Sequence, residues 1–221
     1  MSDFDSTPHK RKPIRRPVQE RSLERMVRVI EAAEHMLVKL GPEKTSIPAL
    51  AEMSGVPRAS IYPFFPDKYA LFAHISQIHT RSIGEAIAHS GVSRAGTLNA
   101  WVGTVIDICV IYYNEHPAAC VLLMNGFFRD TDRAAHAAKN ISIGQLLRNA
   151  AERFREYREF PLSPDVATIA VEIGFACLKF GYAQEGYINN AVRNEACRAV
   201  MAYLDLWRDA PGEDLSKQNA L

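Results

Sequence analysis

Along most of this chain apolar residues return every three or four positions, and only short Gly- and Pro-bearing stretches interrupt them. Leu23, Met26, Val27, Ile30, Ala33, Leu37 and Leu40 fall on one face and predict a first helix over 22–40, ended by Gly41-Pro42. Ser46 is a good N-cap for a second helix carrying Ile47, Leu50 and Ala51, with Pro48 tolerated in its first turn. Gly55 follows, where a sharp turn needs a residue without a Cβ. Val56 and Ile61 then anchor a third helix over 57–64. Asp67 caps a fourth helix that runs to about His89. A short helix, a tight turn and a second short helix make a helix-turn-helix, whose second helix enters the DNA major groove.

Residues 91–96 break the pattern. A long apolar helix follows in LNAWVGTVIDICVIYYNEH and ends at Pro117. Residues 118–128, AACVLLMNGFF, predict a short buried helix, and 131–160 a long amphipathic one. Pro161 and Pro164 separate it from a helix over 165–185, and Gly186 with Asn189-Asn190 turns the chain into a last helix ending near Asp209. The tail from Pro211 is polar. The fold class is all-α with about nine helices: an N-terminal three-helix helix-turn-helix domain and a C-terminal helical effector and dimerisation domain. No strand, internal repeat or long low-complexity block is visible.

Composition is that of a globular protein, with 48% hydrophobic and 23% charged residues in 221. The formal net charge is only +1, but residues 1–70 hold 12 Lys and Arg against 9 Asp and Glu, leaving the rest net acidic. A mildly basic front suits DNA contact at one end. Residues 1–21 form a basic arm, in which Lys10, Arg11, Lys12, Arg15 and Arg16 stand among Pro13 and Pro17. It is either a solvated tail or a strand of charge laid along phosphates or the minor groove. Residues 22–68 are the DNA-binding domain and 69–221 the effector and dimerisation domain. Cys109, Cys120, Cys177 and Cys197 form no Cys-x-x-Cys pair and read as small buried side chains in a reducing compartment. The N-terminus has no signal-peptide pattern, and Asp107 interrupts the most apolar run, so a cytoplasmic protein without a membrane span is expected.

The run Ile61-Tyr62-x-x-Phe65-Pro66-x-Lys68-x-x-Leu71 resembles the DNA-binding domain of the TetR family of transcriptional regulators, which usually shows Leu-Tyr-x-x-Phe-x-x-Lys-x-x-Leu. The resemblance spans residues 22–71. It implies a homodimer on a palindromic double-stranded operator, most often a repressor, released by a small-molecule effector. An activator, or a regulator without a pocket that answers to a protein partner, is the alternative. It also implies phosphate contacts from Thr45, Ser46, Tyr62 and Lys68. At the start of the third helix, Arg58 can grip guanine through its planar fork or pair with a phosphate. Pro57 and Ala59 can pack on a thymine methyl, and Ser60 can donate to a base or phosphate. Pro57 stands where the family often has a capping Ser or Thr. Pro63 replaces a contacting side chain and crowds the carbonyl of Ala59, so the reading helix should be very short or bent.

In the rear half, Trp101, Ile108, Tyr112, Met124, Phe127, Phe128 and Leu147 offer apolar surface for a hydrophobic or aromatic effector. Asp107 and Asn125 are polar groups in apolar helices, needing either a ligand or an internal partner. A dimer face is expected from Ala167, Val171, Gly174, Leu178 and Gly181 with Ala196, Val200, Tyr203 and Trp207, unless that face packs within the monomer. No catalytic, metal or cofactor motif stands out: His74 and His79 diverge on a helix, and no nucleophile elbow or phosphate loop occurs.

Overall fold

The structure, a computed structural model, describes residues 18–90, 95–124, 130–154, 157 and 159–208, with the backbone alone at 18–20 and 130–136. The basic arm through Pro17, residues 91–94, Asn125, Phe127, Phe128 and the tail from Pro211 lie outside the described residues. Among the described residues there are nine helices and no strand: α1 (Val18–Lys44), α2 (Ile47–Ser54), α3 (Arg58–Ile61), α4 (Lys68–His89), α5 (Leu98–Glu115), α6 (Pro117–Leu123), α7 (Asp130–Arg153), α8 (Val166–Glu185) and α9 (Asn190–Asp205).

Local signals set most of these boundaries. Ser46 caps α2 through Ala49 N, Asp67 caps α4 through Ala70 N, and Asn189 caps α9 through Val192 N. Gly41 leaves helical geometry at φ 79°, so α1 bends at the expected place and continues for one further turn. Gly55 ends α2 at φ 65°, the left-handed conformation that glycine adopts without strain. Three helices are shorter than their sequence pattern. The reading helix α3 holds only four residues, because Pro63 cannot donate to Ala59 and the chain tightens onto Ile61 O through Phe64 N and Phe65 N. Helix α6 stops at Leu123 instead of 128. Helix α7 stops at Arg153 instead of 160, and Arg148 turns back to the Phe160 carbonyl and to Asp165 at 2.7 Å.

Two apolar cores result. The front one gathers Val29, Ala33 and Leu37 of α1, Ile47 and Leu50 of α2, Val56, Ile61 and Phe65, and the first half of α4, with Leu122 of α6 closing it. The rear one is built by α5 to α9 together with Ile83 and Ile87 from the second half of α4. One helix therefore carries Leu71, Phe72 and Ile75 into one core and Ile83 and Ile87 into the other. Helix α8, the one described helix apolar and long enough to span a membrane, lies against α7 and α9 as a core helix.

Candidate nucleic-acid interface

The front core fixes α3 as an exposed ledge. Val56, Ile61 and Phe65 anchor it from below at 1–5% exposure, so its N-terminal turn projects outward. Pro57, Arg58, Ala59, Tyr62 and Pro63 are all exposed, and Ser60 is half-buried. Pro57 occupies the N-cap without a side-chain hydrogen bond, as its chemistry requires. Ser46 is half-buried and accepts from Ala49 N at 3.4 Å, which leaves its hydroxyl proton for an acceptor outside.

Two expected phosphate contacts have other employment. Thr45 is fully buried and donates its hydroxyl to Gly41 O at 2.9 Å, so it ties the α1 bend to the start of α2 and cannot reach a phosphate. Lys68 donates from Nζ to Pro42 O at 2.9 Å and Glu43 O at 3.3 Å, and its ammonium lies 5.3 Å from the Tyr69 ring centroid. Its charge closes the end of α1 against the start of α4, where unpaired carbonyls attract a cation.

Arg25 was missed by sequence reasoning. Its Nη1 donates to Ser60 Oγ at 3.4 Å and its Nε to Arg21 O at 3.1 Å, which places a second guanidinium beside the reading turn. The signal was present: Arg21, Arg25 and Arg28 share one face of α1 at i, i+4, i+7 spacing.

A polar seam joins the two halves. His79 of α4 is 4% exposed, and its Nδ1 lies 2.8 Å from the Tyr112 hydroxyl. Its Nε2 approaches Glu34 Oε1 of α1 at 3.0 Å, at an angle too poor for a hydrogen bond. His116 stacks on Tyr112 at 4.3 Å between centroids. A cleft of about 330 Å³ opens beside this seam, lined in part by Glu31, Glu34, His79 and Glu115.

Behind the seam, an apolar cavity of about 60 Å³ lies between α5, α7, α8 and α9. Trp101 and Leu147 line it as expected; Ile106, Cys109, Ile143, Ala170 and Phe175 join them. The other expected effector residues lie elsewhere. Asp107 is gripped by Arg193 through two bonds of 2.6 and 2.7 Å, and Arg193 also reaches Gly103 O, so Asp107 ties α5 to α9. Tyr112 belongs to the seam. Ile108 and Met124 pack in the rear core away from the cavity.

The expected dimer face is also corrected. Ala167, Gly174, Leu178, Gly181, Ala196 and Val200 are buried within one protomer, and Val171, Tyr203 and Trp207 pack against the same core. The glycines do allow close approach, but of α9 in the same chain: a Cβ on Gly174 would meet Val200 at 3.2 Å, and one on Gly181 would meet Val192 at 2.7 Å. Val171, Gly174, Leu178 and Val200 line the cavity instead.

Residues 29–75 match the family model of bacterial regulatory proteins, tetR family. A TetR-family transcriptional regulator from Streptomyces coelicolor is 20% identical, with 85% of this chain and 99% of that one covered at a TM-score of 0.67. A TetR-like transcriptional regulator from Rhodococcus sp. RHA1 is 17% identical, with coverages of 82% and 96% and a TM-score of 0.62. The TetR-family regulator PfmR from Thermus thermophilus is 17% identical, with coverages of 85% and 97% and a TM-score of 0.55. No curated protein matches the chain in sequence. At such identities the likeness to solved structures is one of fold.

Proposed function

From a front domain that is a TetR-family helix-turn-helix on a TetR-family fold, we propose a homodimeric transcriptional regulator that reads a palindromic operator and is released by a small molecule. The observation that carries the reading is the exposed turn Pro57-Arg58-Ala59-Ser60, held over a fully packed core. Arg58 is the base-reading group; Ala59 and Pro57 pack on base methyls. Ser60, Ser46, Tyr62 and Arg25 hold phosphates. Tyr62, Pro63 and Phe64 form an exposed apolar cap beyond the helix, so contact past Ile61 is by packing more than by hydrogen bonding.

The dimer uses the outward stripe of α8, where Ile169, Ile173, Ala176 and Phe180 recur at helical spacing opposite the buried one. Phe180 is 63% exposed, an unusual position for a phenyl ring unless a second copy covers it. Phe180→Glu should convert the dimer to monomer in sedimentation; an unchanged mass would remove this face from consideration.

Binding of the purified protein to fragmented genomic DNA of its source, at near-physiological salt, tests the whole reading. A short enriched palindrome is expected. On that site Arg58→Ala should cost roughly 1–3 kcal/mol and relax preference at one base position. Equal affinity and unchanged preference would show that Arg58 is not the reader.

A further inference from the structure

We propose that the rear cavity is the site of a straight-chain monocarboxylate, whose carboxylate pairs with Lys139 and whose chain lies along α5 toward Trp101. The inference deepens the ligand-release reading above and rests on it.

Lys139, Ile143 and Leu147 fall on one face of α7, and the last two line the cavity. Lys139 is 4% exposed and its Nζ has no hydrogen-bond partner. It sits 3.3 Å from the centroid of Phe175, a cavity wall residue. That cation–π contact offsets part of the desolvation, but it leaves the N–H groups without acceptors. The nearby Glu172 carboxylate accepts from Asn140 at 2.6 Å. Burial drives the Lys139 ammonium down to about 7, while Cys109 and Glu172 pull it back up. An anion beside it would restore its charge.

Two more donors mark the same space. The Tyr113 hydroxyl is buried without a partner, and its ring meets Phe175 edge-on at 5.6 Å. Trp101 lines the other end, and its indole N–H is also buried without a partner. Buried donors in excess over acceptors call for an acceptor-rich guest. The shape narrows the choice. From Trp101 to Cys109 the wall follows roughly 12 Å of α5, eight residues at about 1.5 Å each. An aromatic ring needs on the order of 150 Å³, far above the 60 Å³ present, so a linear chain fits better.

Calorimetric titration of the full chain with butyrate, hexanoate and octanoate, each against the alcohol of equal length and with benzoate as ring control, tests the site. At neutral pH the wild type should bind at least one acid about tenfold more tightly than its alcohol. Lys139→Met should melt cooperatively and lose that preference, and benzoate should bind more weakly than the linear acids. Three results would overturn the proposal: equal affinity for acid and alcohol, an acid preference that survives Lys139→Met, or no binding of any acid up to about 10 mM. Operator binding by ligand-free protein is measured alongside. Its absence would sink the regulator reading and leave the acid preference to judge the site. Octanoate binding without loss of operator affinity would support the site and remove its part in release.

Discussion

The front and rear halves treat buried polar groups differently. Among the described residues ahead of the His79 seam, no buried side-chain nitrogen or oxygen lacks a partner: Thr45 is satisfied by Gly41 O, and Lys68 by Pro42 O and Glu43 O. The rear half keeps Trp101, Tyr113, Lys139 and Trp207 buried with donors unmet. A domain that presents a fixed ledge to a rigid duplex gains from a closed interior. A domain that must admit a guest retains groups whose partners arrive with it. The difference assigns rigidity to the reading end and unspent binding capacity to the sensing end.

The sharpest way to break this contrast is to cut each core. Leu71→Ala, at a fully buried site in the front core, should cost about 2–5 kcal/mol in urea unfolding. In the rear half Lys139→Met should do the reverse and stabilise the ligand-free protein by a few kcal/mol, because it removes a buried amine whose charging is suppressed. The lysine titrates near 7 when folded and near 10.5 when unfolded, so between those values the unfolded chain holds the extra proton. Wild-type stability should therefore rise from pH 7 toward pH 10, and the advantage of Lys139→Met should shrink over the same range. A pH-independent gap between the two would place the lysine in water.

Lys68→Met should follow, at roughly 1–3 kcal/mol of lost stability, since two carbonyls at the end of α1 lose their donor. The salt dependence of DNA binding sharpens this point: an unchanged slope means that Lys68 acts on α1, whereas a slope lower by about one means that it also neutralises a phosphate. The smallest effect belongs to Thr45→Val, about 1 kcal/mol of stability with the salt slope unaltered. A flattened slope there would reinstate Thr45 as a phosphate contact.

What could be read without coordinates was local. Caps at Ser46, Asp67 and Asn189, turns at Gly41 and Gly55, and the stunting of α3 by Pro63 depend on neighbours a few positions away. The misreadings all depend on partners far along the chain. Asp107 meets Arg193 across 86 positions, and Lys68 finds Pro42 across 26. Helix α8 is apolar over so much of its circumference that periodicity could not decide which stripe faces α9. Small residues at 174 and 181 marked a close helix contact correctly without saying whose helix it was. Lys139 was legible in principle, since a lysine in register with Ile143 and Leu147 sits on an apolar face.

Helix α4 has one foot in each core, and its length turns that into leverage. Twenty-two residues make a rod about 33 Å long, at about 1.5 Å per residue. A rotation of about 5° pivoting near one end displaces the other by roughly 3 Å on such a rod, close to the spacing between stacked base pairs. Rearrangements at Ile83 and Ile87 too slight to disturb packing would thus be magnified at Lys68, where α4 is pinned to α1 beside the reading turn.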